Sequence, residues 1–170
     1  MSLPAALDHL RDPRVRDLAA LLAGATQRRR AAIDPADIPW ALRHVWLCDY
    51  LPEERDFRYR LAGEAINEAH GRSVARVRLS DLLPAAAFPP VLARYLRVVD
   101  EPAIGHGLGA VYLNIDRPVP GERIVLPLAS DGARTDMILG MTVYDTGSTH
   151  PGHLSPNGAL QLTFTPLAAL

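Results

Sequence analysis

Four groups of residues in this chain have types and spacings that chemistry can use. Glu64 and Glu68 stand four apart in EAINEAH, so a helix through them carries both carboxylates on one face, as general acid–base work requires. Arg58 and Arg60 alternate with Phe57, Tyr59 and Leu61 in DFRYRLAG, two cations within one short strand. The run GHGLG (105–109) sets His106 among glycines, and Cys48 is the single cysteine.

Each group also has a structural reading. Two glutamates at i, i+4 make an ordinary solvated helix face, and no Ser/His/Asp arrangement or nucleophile elbow accompanies them. Simple period-2 alternation points Arg58 and Arg60 outward, toward Glu53, Glu54, Asp56 or another subunit, where an exposed pair is worth only about 0–1 kcal/mol. A dinucleotide fingerprint needs G-x-G-x-x-G between a strand and a helix. GHGLG is G-x-G-x-G, follows a helix and opens a strand, so Gly105, Gly107 and Gly109 read as bare backbone on one face, open to close approach by another element. His106 shares a strand face with Leu108, Ala110 and Tyr112; it lacks an Asp, Glu or His partner at metal spacing, so no metal is expected. One cysteine excludes an intrachain disulfide and a multi-cysteine zinc site, and Cys48 reads as a small buried residue.

Composition narrows the field further. The 170 residues suffice for one domain with extensions and a real core. A net charge of -1 gives no electrostatic footprint for nucleic acid. All 18 basic residues are arginine, which excludes Schiff-base and P-loop lysine chemistry by this chain. The opening MSLPAALDHLRDPR meets charge too early for a secretory segment, and no apolar run reaches the roughly 18 residues of a membrane span, so a cytoplasmic location is expected.

These residues must be positioned by recognisable elements. DPRVRDLAALLAGATQRRR (12–30) predicts a helix, with Asp12 as N-cap, Pro13 at its first position, a Val15/Leu18/Leu22 stripe and Arg28, Arg29 and Arg30 at its negative end. ALRHVWLCDYLPEERDFRYRLAG (41–63) predicts two strands. Trp46, Cys48 and Tyr50 share one face of the first, while Phe57, Tyr59 and Leu61 share one face of the second, an alternation that implies one wet and one buried sheet face. EAINEAH is a short helix closed by Gly71, Ser80 signals a brief helical turn before Pro84, and PPVLARYLRVVD forms a longer helix. Three strand-like runs follow at 103–116, 122–130 and 134–145. Pro127 marks a bulge or unpaired position in the second, and the tail LQLTFTPL can pair as a strand or dock as an arm.

FRYRLAGEAINEAHGRSVARVRLSDLLP, followed by LARYLRVVDEPAI, IVLPLASDG and TDMILGMTVYD, resembles the alphaproteobacterial PAS-like family designated PAS_5, over about residues 38–145. The resemblance implies an α+β fold: a PAS-like five-stranded antiparallel sheet with helices on one face, plus an N-terminal helix. The chain then divides into a helical extension (1–37), the core (38–145) and a tail (146–170). Where the family carries a second glycine turn of the form G-x-x-L-x-G, this sequence has Ser73, Val74 and Ala75 after Gly71, so the turn leading to Arg76 is expected to differ. The family implies a sensory or regulatory module. Flavin photochemistry is disfavoured because the N-C-R-F-L-Q type helix motif is absent, and haem because the helix PVLARYLRVVD offers no histidine.

The reading that follows is a stand-alone module that binds a small, mostly apolar ligand between sheet and helices. Trp46, Tyr59, Tyr95, His106 and Tyr112 are the expected pocket residues, as aromatic bodies with polar tips suit such a site. The chain leaves no room for an attached kinase, cyclase or DNA-binding output, so protein contact is the expected route of signalling, with a homodimer through the N-terminal helix. That helix must bury its stripe on its own sheet or on a second copy. The rivals are a ligand-free interaction scaffold with a self-filled core, and a small α+β dehydratase or isomerase, which would need a pair such as His106 with Asp136 in the pocket.

Overall fold

A computed structural model describes residues 3–23, 29–112, 119–144 and 160–170. Helix α1 spans Pro13–Ala23, strands β1 and β2 span Val45–Leu51 and Asp56–Ala62, and the short helices α2 and α3 span Glu64–His70 and Leu79–Leu82. Helix α4 spans Phe88–Asp100 and is followed by β3 (Ala103–Tyr112), β4 (Val119–Leu128), β5 (Met137–Tyr144) and β6 (Gln161–Pro166). The strands form one antiparallel sheet in the order β2-β1-β5-β4-β3-β6. The sheet therefore has six strands rather than five. The sixth comes from the tail and pairs with the outer edge of β3, from Ala103↔Pro166 to Leu108↔Gln161.

Both faces of this sheet are covered, which corrects the expectation of one wet face. On one side Val91, Tyr95 and Val98 of α4, with Ile66, Leu79 and Leu82, pack on Trp46, Cys48, Phe57 and Tyr59. On the other, Leu7, Leu10 and the α1 stripe Val15, Leu18, Ala19 and Leu22 pack on Leu47, Ile104, Ile124, Leu126 and Met141. Continuous apolar runs such as Val45–Cys48 and Met137–Val143 are what burial on both faces demands. The α1 stripe is thus spent on the chain's own sheet.

Asp12 starts α1 as expected: its carboxylate accepts from Arg14 N at 2.9 Å, and Pro13 occupies the first helical position. Arg29 and Arg30, however, are not part of this helix. Arg29 instead bridges to Ala129 and Arg30 lies in a 3₁₀ turn, while Arg28 falls outside the described residues. Gly71 closes α2 in the left-handed conformation, φ 65°, and accordingly lacks a Cβ that would resist it. Ser80 lies inside α3 rather than before it; its hydroxyl donates to Asp56 at 2.6 Å. Arg76 has a positive φ of 68° and donates its N–H to the Tyr59 carbonyl, so the divergent turn clips onto the outer edge of β2.

One bulge changes a face. Leu47 pairs with Leu61 and Cys48 with Tyr59, which leaves Arg60 as an extra residue in β2. Beyond it the parity flips: Leu61 leaves the Phe57/Tyr59 side and joins Leu47 and Leu139 on the opposite face. Arg60 pairs with Asp49 at 2.8 Å, not with the acids of the 53–56 turn. Pro127 sits in unbroken register with Ile138 of β5, and pairing with β3 ends at Val125, so its missing N–H falls beyond the β3 ladder. Among the described residues no helix is long and apolar enough to cross a membrane.

Candidate ligand cleft beneath the long helix

The centre of the helix-covered face is filled by the protein's own rings. Trp46 stacks on Tyr95 with centroids 5.2 Å apart, Tyr59 lies 5.8 Å from Trp46, and Phe57 meets Tyr95 edge-on at 5.4 Å. Trp46 can lie so close to the sheet because its cross-strand neighbour is Gly140, where a Cβ would overlap the indole. Trp46, Tyr59 and Tyr95 are therefore brought together as expected, but as packed core, and Tyr95 also lines a neighbouring space.

That space lies further along the sheet, between α4, β3, β4 and β6, a narrow cleft whose ≈ 420 Å³ is largely the open solvent at its mouth. Two features open it. Gly105 and Gly107 present bare backbone as its floor: added Cβ atoms would stand 3.2 Å from Val98 and 3.1 Å from Leu160 respectively. The GHGLG glycines thus serve close approach of α4 and β6, not a phosphate loop. Strand β6 and the residue before it then supply the outer wall through Leu160, Leu162 and Phe164, and the Arg97 guanidinium rests 4.2 Å above the Phe164 ring. Val91, Val98, Val111 and Val125 complete an apolar lining.

The polar exception is at the inner end. Arg123 of β4, paired with Gly107, projects onto the helix face below Tyr95. Its Nε donates to Thr142 Oγ1 at 2.9 Å and its Nη2 to the Val111 carbonyl at 2.7 Å; Trp46 Nε1 donates to the same Thr142 hydroxyl at 3.2 Å. The Tyr144 hydroxyl is a further hydrogen-bond partner, and the Tyr59 and Tyr95 hydroxyls stand nearby. Burial pushes the Tyr95 hydroxyl up to about 12 and Tyr59 well above its ordinary value, so both are neutral at physiological pH. Arg94 of α4 lines the same cleft, and its pKa is drawn down by burial and by the Arg123 charge. His70, at the end of α2, is held down to about 4 by burial and then by the charges of Arg123 and Arg72.

His106 is among the residues that border the cleft, but its imidazole makes its contacts elsewhere. Its neighbours Gly105 and Gly107 face the cleft, so the imidazole points through the other side of the sheet. There its Nε2 meets Glu122 Oε1 at 2.8 Å, and its ring lies 5.0 Å from that of His9. Glu122 also accepts the backbone N–H groups of Arg11 (2.9 Å) and Asp12 (2.6 Å). The pair is a buried latch for the N-terminal segment. Asp136, the imagined partner of His106, accepts instead from the backbone and hydroxyl of Ser130. Tyr112 pairs with Val119 at the end of β3, and its side chain lies outside the described residues.

The remaining chemically suggestive groups are structural. Glu64 and Glu68 are exposed and pair with Arg43 at 3.9 and 2.8 Å. Cys48 is wholly buried, and burial raises its thiol well above the ordinary range. Among the described residues no three His, Cys, Asp or Glu side chains stand together as a metal site.

Strand order β2-β1-β5-β4-β3, with three helices inserted between β2 and β3 and packed on one face, defines a PAS-type α+β module. The model of the PAS_5 family, described as a PAS domain, matches residues 18–143. The chain belongs to that family, whose members are sensory and regulatory domains. No curated protein and no solved structure matches it.

Proposed function

We propose that this chain is a sensory module that takes a small, mostly apolar ligand in the cleft beneath α4 and passes the signal on by protein contact. The observation that carries the reading is the cleft itself, a glycine-floored, aliphatic-walled space with a few convergent polar groups at one end. Its walls are the helix and strand whose separation an occupant would set, so occupancy has a mechanical route to the surface through α4 and β6.

Titration with small amphipathic organic molecules, followed by amide NMR, tests this reading. Shifts are expected to centre on Gly105, Gly107, Val98 and Phe164 and to vanish when Gly107→Val fills the floor. Shifts scattered over the surface, unchanged by Gly107→Val, would refute it. The packed Trp46/Phe57/Tyr59/Tyr95 cluster favours the rival reading of a self-filled scaffold. Native mass spectrometry of freshly purified protein separates the two: a co-purifying small molecule supports the sensor. Among the described residues that line the cleft none is an acid, so the titratable pair of the enzyme reading is not found there.

A further inference from the structure

We propose that the cleft recognises an organic anion, an apolar body bearing one carboxylate, and that Arg123 with Arg94 binds the charged end. The inference rests on the ligand reading above and names its chemistry.

Arg123 is the charged group at the inner end of the cleft. A guanidinium is charged at every physiological pH, so burial cannot neutralise it, and a partly buried cation without a counter-charge carries a desolvation cost. Among the described residues neither Arg123 nor Arg94 forms an ion pair. Among the described residues the groups around Arg123 are the Tyr59, Tyr95 and Tyr144 hydroxyls, Thr142 and a backbone carbonyl, all dipoles, with Arg94 and His70 supplying no negative charge. Its hydrogen-bond partners among the described residues, Thr142, Val111 and Tyr144, offer only hydroxyl and carbonyl oxygens. Two arginines converging on one cleft, with no acid among the described residues that line it, form a receptor for an oxyanion. The aliphatic walls extend from there past Val98, Gly105 and Gly107 to Leu160 and Leu162, which fits an apolar chain attached to the anion.

The test compares hexanoate, hexanamide and inorganic phosphate by NMR titration of wild type, Arg123→Gln and Arg94→Gln, each checked for native circular dichroism. The wild type is expected to bind hexanoate roughly tenfold or more tightly than hexanamide, the factor that a charge-assisted bond supplies. Phosphate should bind more weakly than hexanoate. The acid-over-amide preference should disappear in Arg123→Gln and shrink in Arg94→Gln, while hexanamide binding persists in both. Equal binding of acid and amide by the wild type would overturn the anion assignment yet leave the cleft as a ligand site. Cleft resonances unmoved by either compound would overturn both. A preference that survives in both variants would also refute the assignment, and phosphate binding as tightly as hexanoate would refute the apolar body. If Arg123→Gln does not fold, the wild-type comparison and Arg94→Gln decide the matter.

Discussion

Glu122 supports the sharpest perturbation, because one buried carboxylate holds three donors. Its side chain is 4% exposed and accepts Arg11 N–H, Asp12 N–H and, with the proton on Nε2, the His106 imidazole. Glu122→Ala removes every acceptor at once. Two backbone donors and a buried ring nitrogen then lose their partner, at about 1–3 kcal/mol each where water cannot replace it. Relaxation of the 9–12 segment toward solvent limits the total, so the expected loss is about 3–5 kcal/mol, the low end of the sum over three unsatisfied donors. Glu122→Gln keeps the shape and one good acceptor but turns an NH₂ toward a donor, and should cost about 1–3 kcal/mol. Urea unfolding at neutral pH measures both losses, and amide hydrogen exchange locates them. The Arg11 and Asp12 amides should lose protection in Glu122→Ala first, since the same contact fixes the entry to α1. A loss below about 1 kcal/mol, with those amides still protected, would show that packing of Leu7, Leu10 and Val15 alone docks the segment.

Other perturbations probe the opposite face. His70 is depressed to about 4 in the folded state, so its neutral form favours folding: that contribution is complete above the ordinary 6.5 and is lost as pH falls from there toward 4. Partial exposure discounts the full shift to about 1–3 kcal/mol, and His70→Gln should flatten the stability profile between pH 7 and 4 in denaturant titrations. Gly140→Ala drives a methyl into the Trp46 ring and should lower stability by about 2–3 kcal/mol, with loss of the near-ultraviolet dichroism of Trp46. Phe164→Ala removes the ring that packs on Gly105 and under Arg97; β6 should loosen, and faster amide exchange across Ile104–Leu108 would report it.

What the sequence disclosed was local, and what it hid depended on pairing between distant strands. Alternation correctly joined Trp46 with Cys48 and Phe57 with Tyr59, since each pair lies within one unbroken stretch of strand. It failed at Leu61 because the bulge at Arg60 is defined only by the register against β1, which no within-strand pattern records. It put His106 in the pocket for a related reason. Parity groups His106 with Leu108 against the glycines, but only the presence of an N-terminal layer on the far side decides which group meets the helices. That layer was half legible, since the α1 stripe demanded burial and the sheet's own two-sided apolar runs offered it. Arg123 was missed because an arginine at the head of ERIVLPLAS reads as a solvated strand end. Its parity with Val125 was visible, and so was the bare face of GHGLG; their meeting across the ladder at Gly107 was not. The consequence is general for two-layered sheets like this one. A cation on a strand is placed in solvent by its own neighbours' pattern, but the glycine opposite it is what leaves room for the charge, and for whatever anion answers it, under a helix.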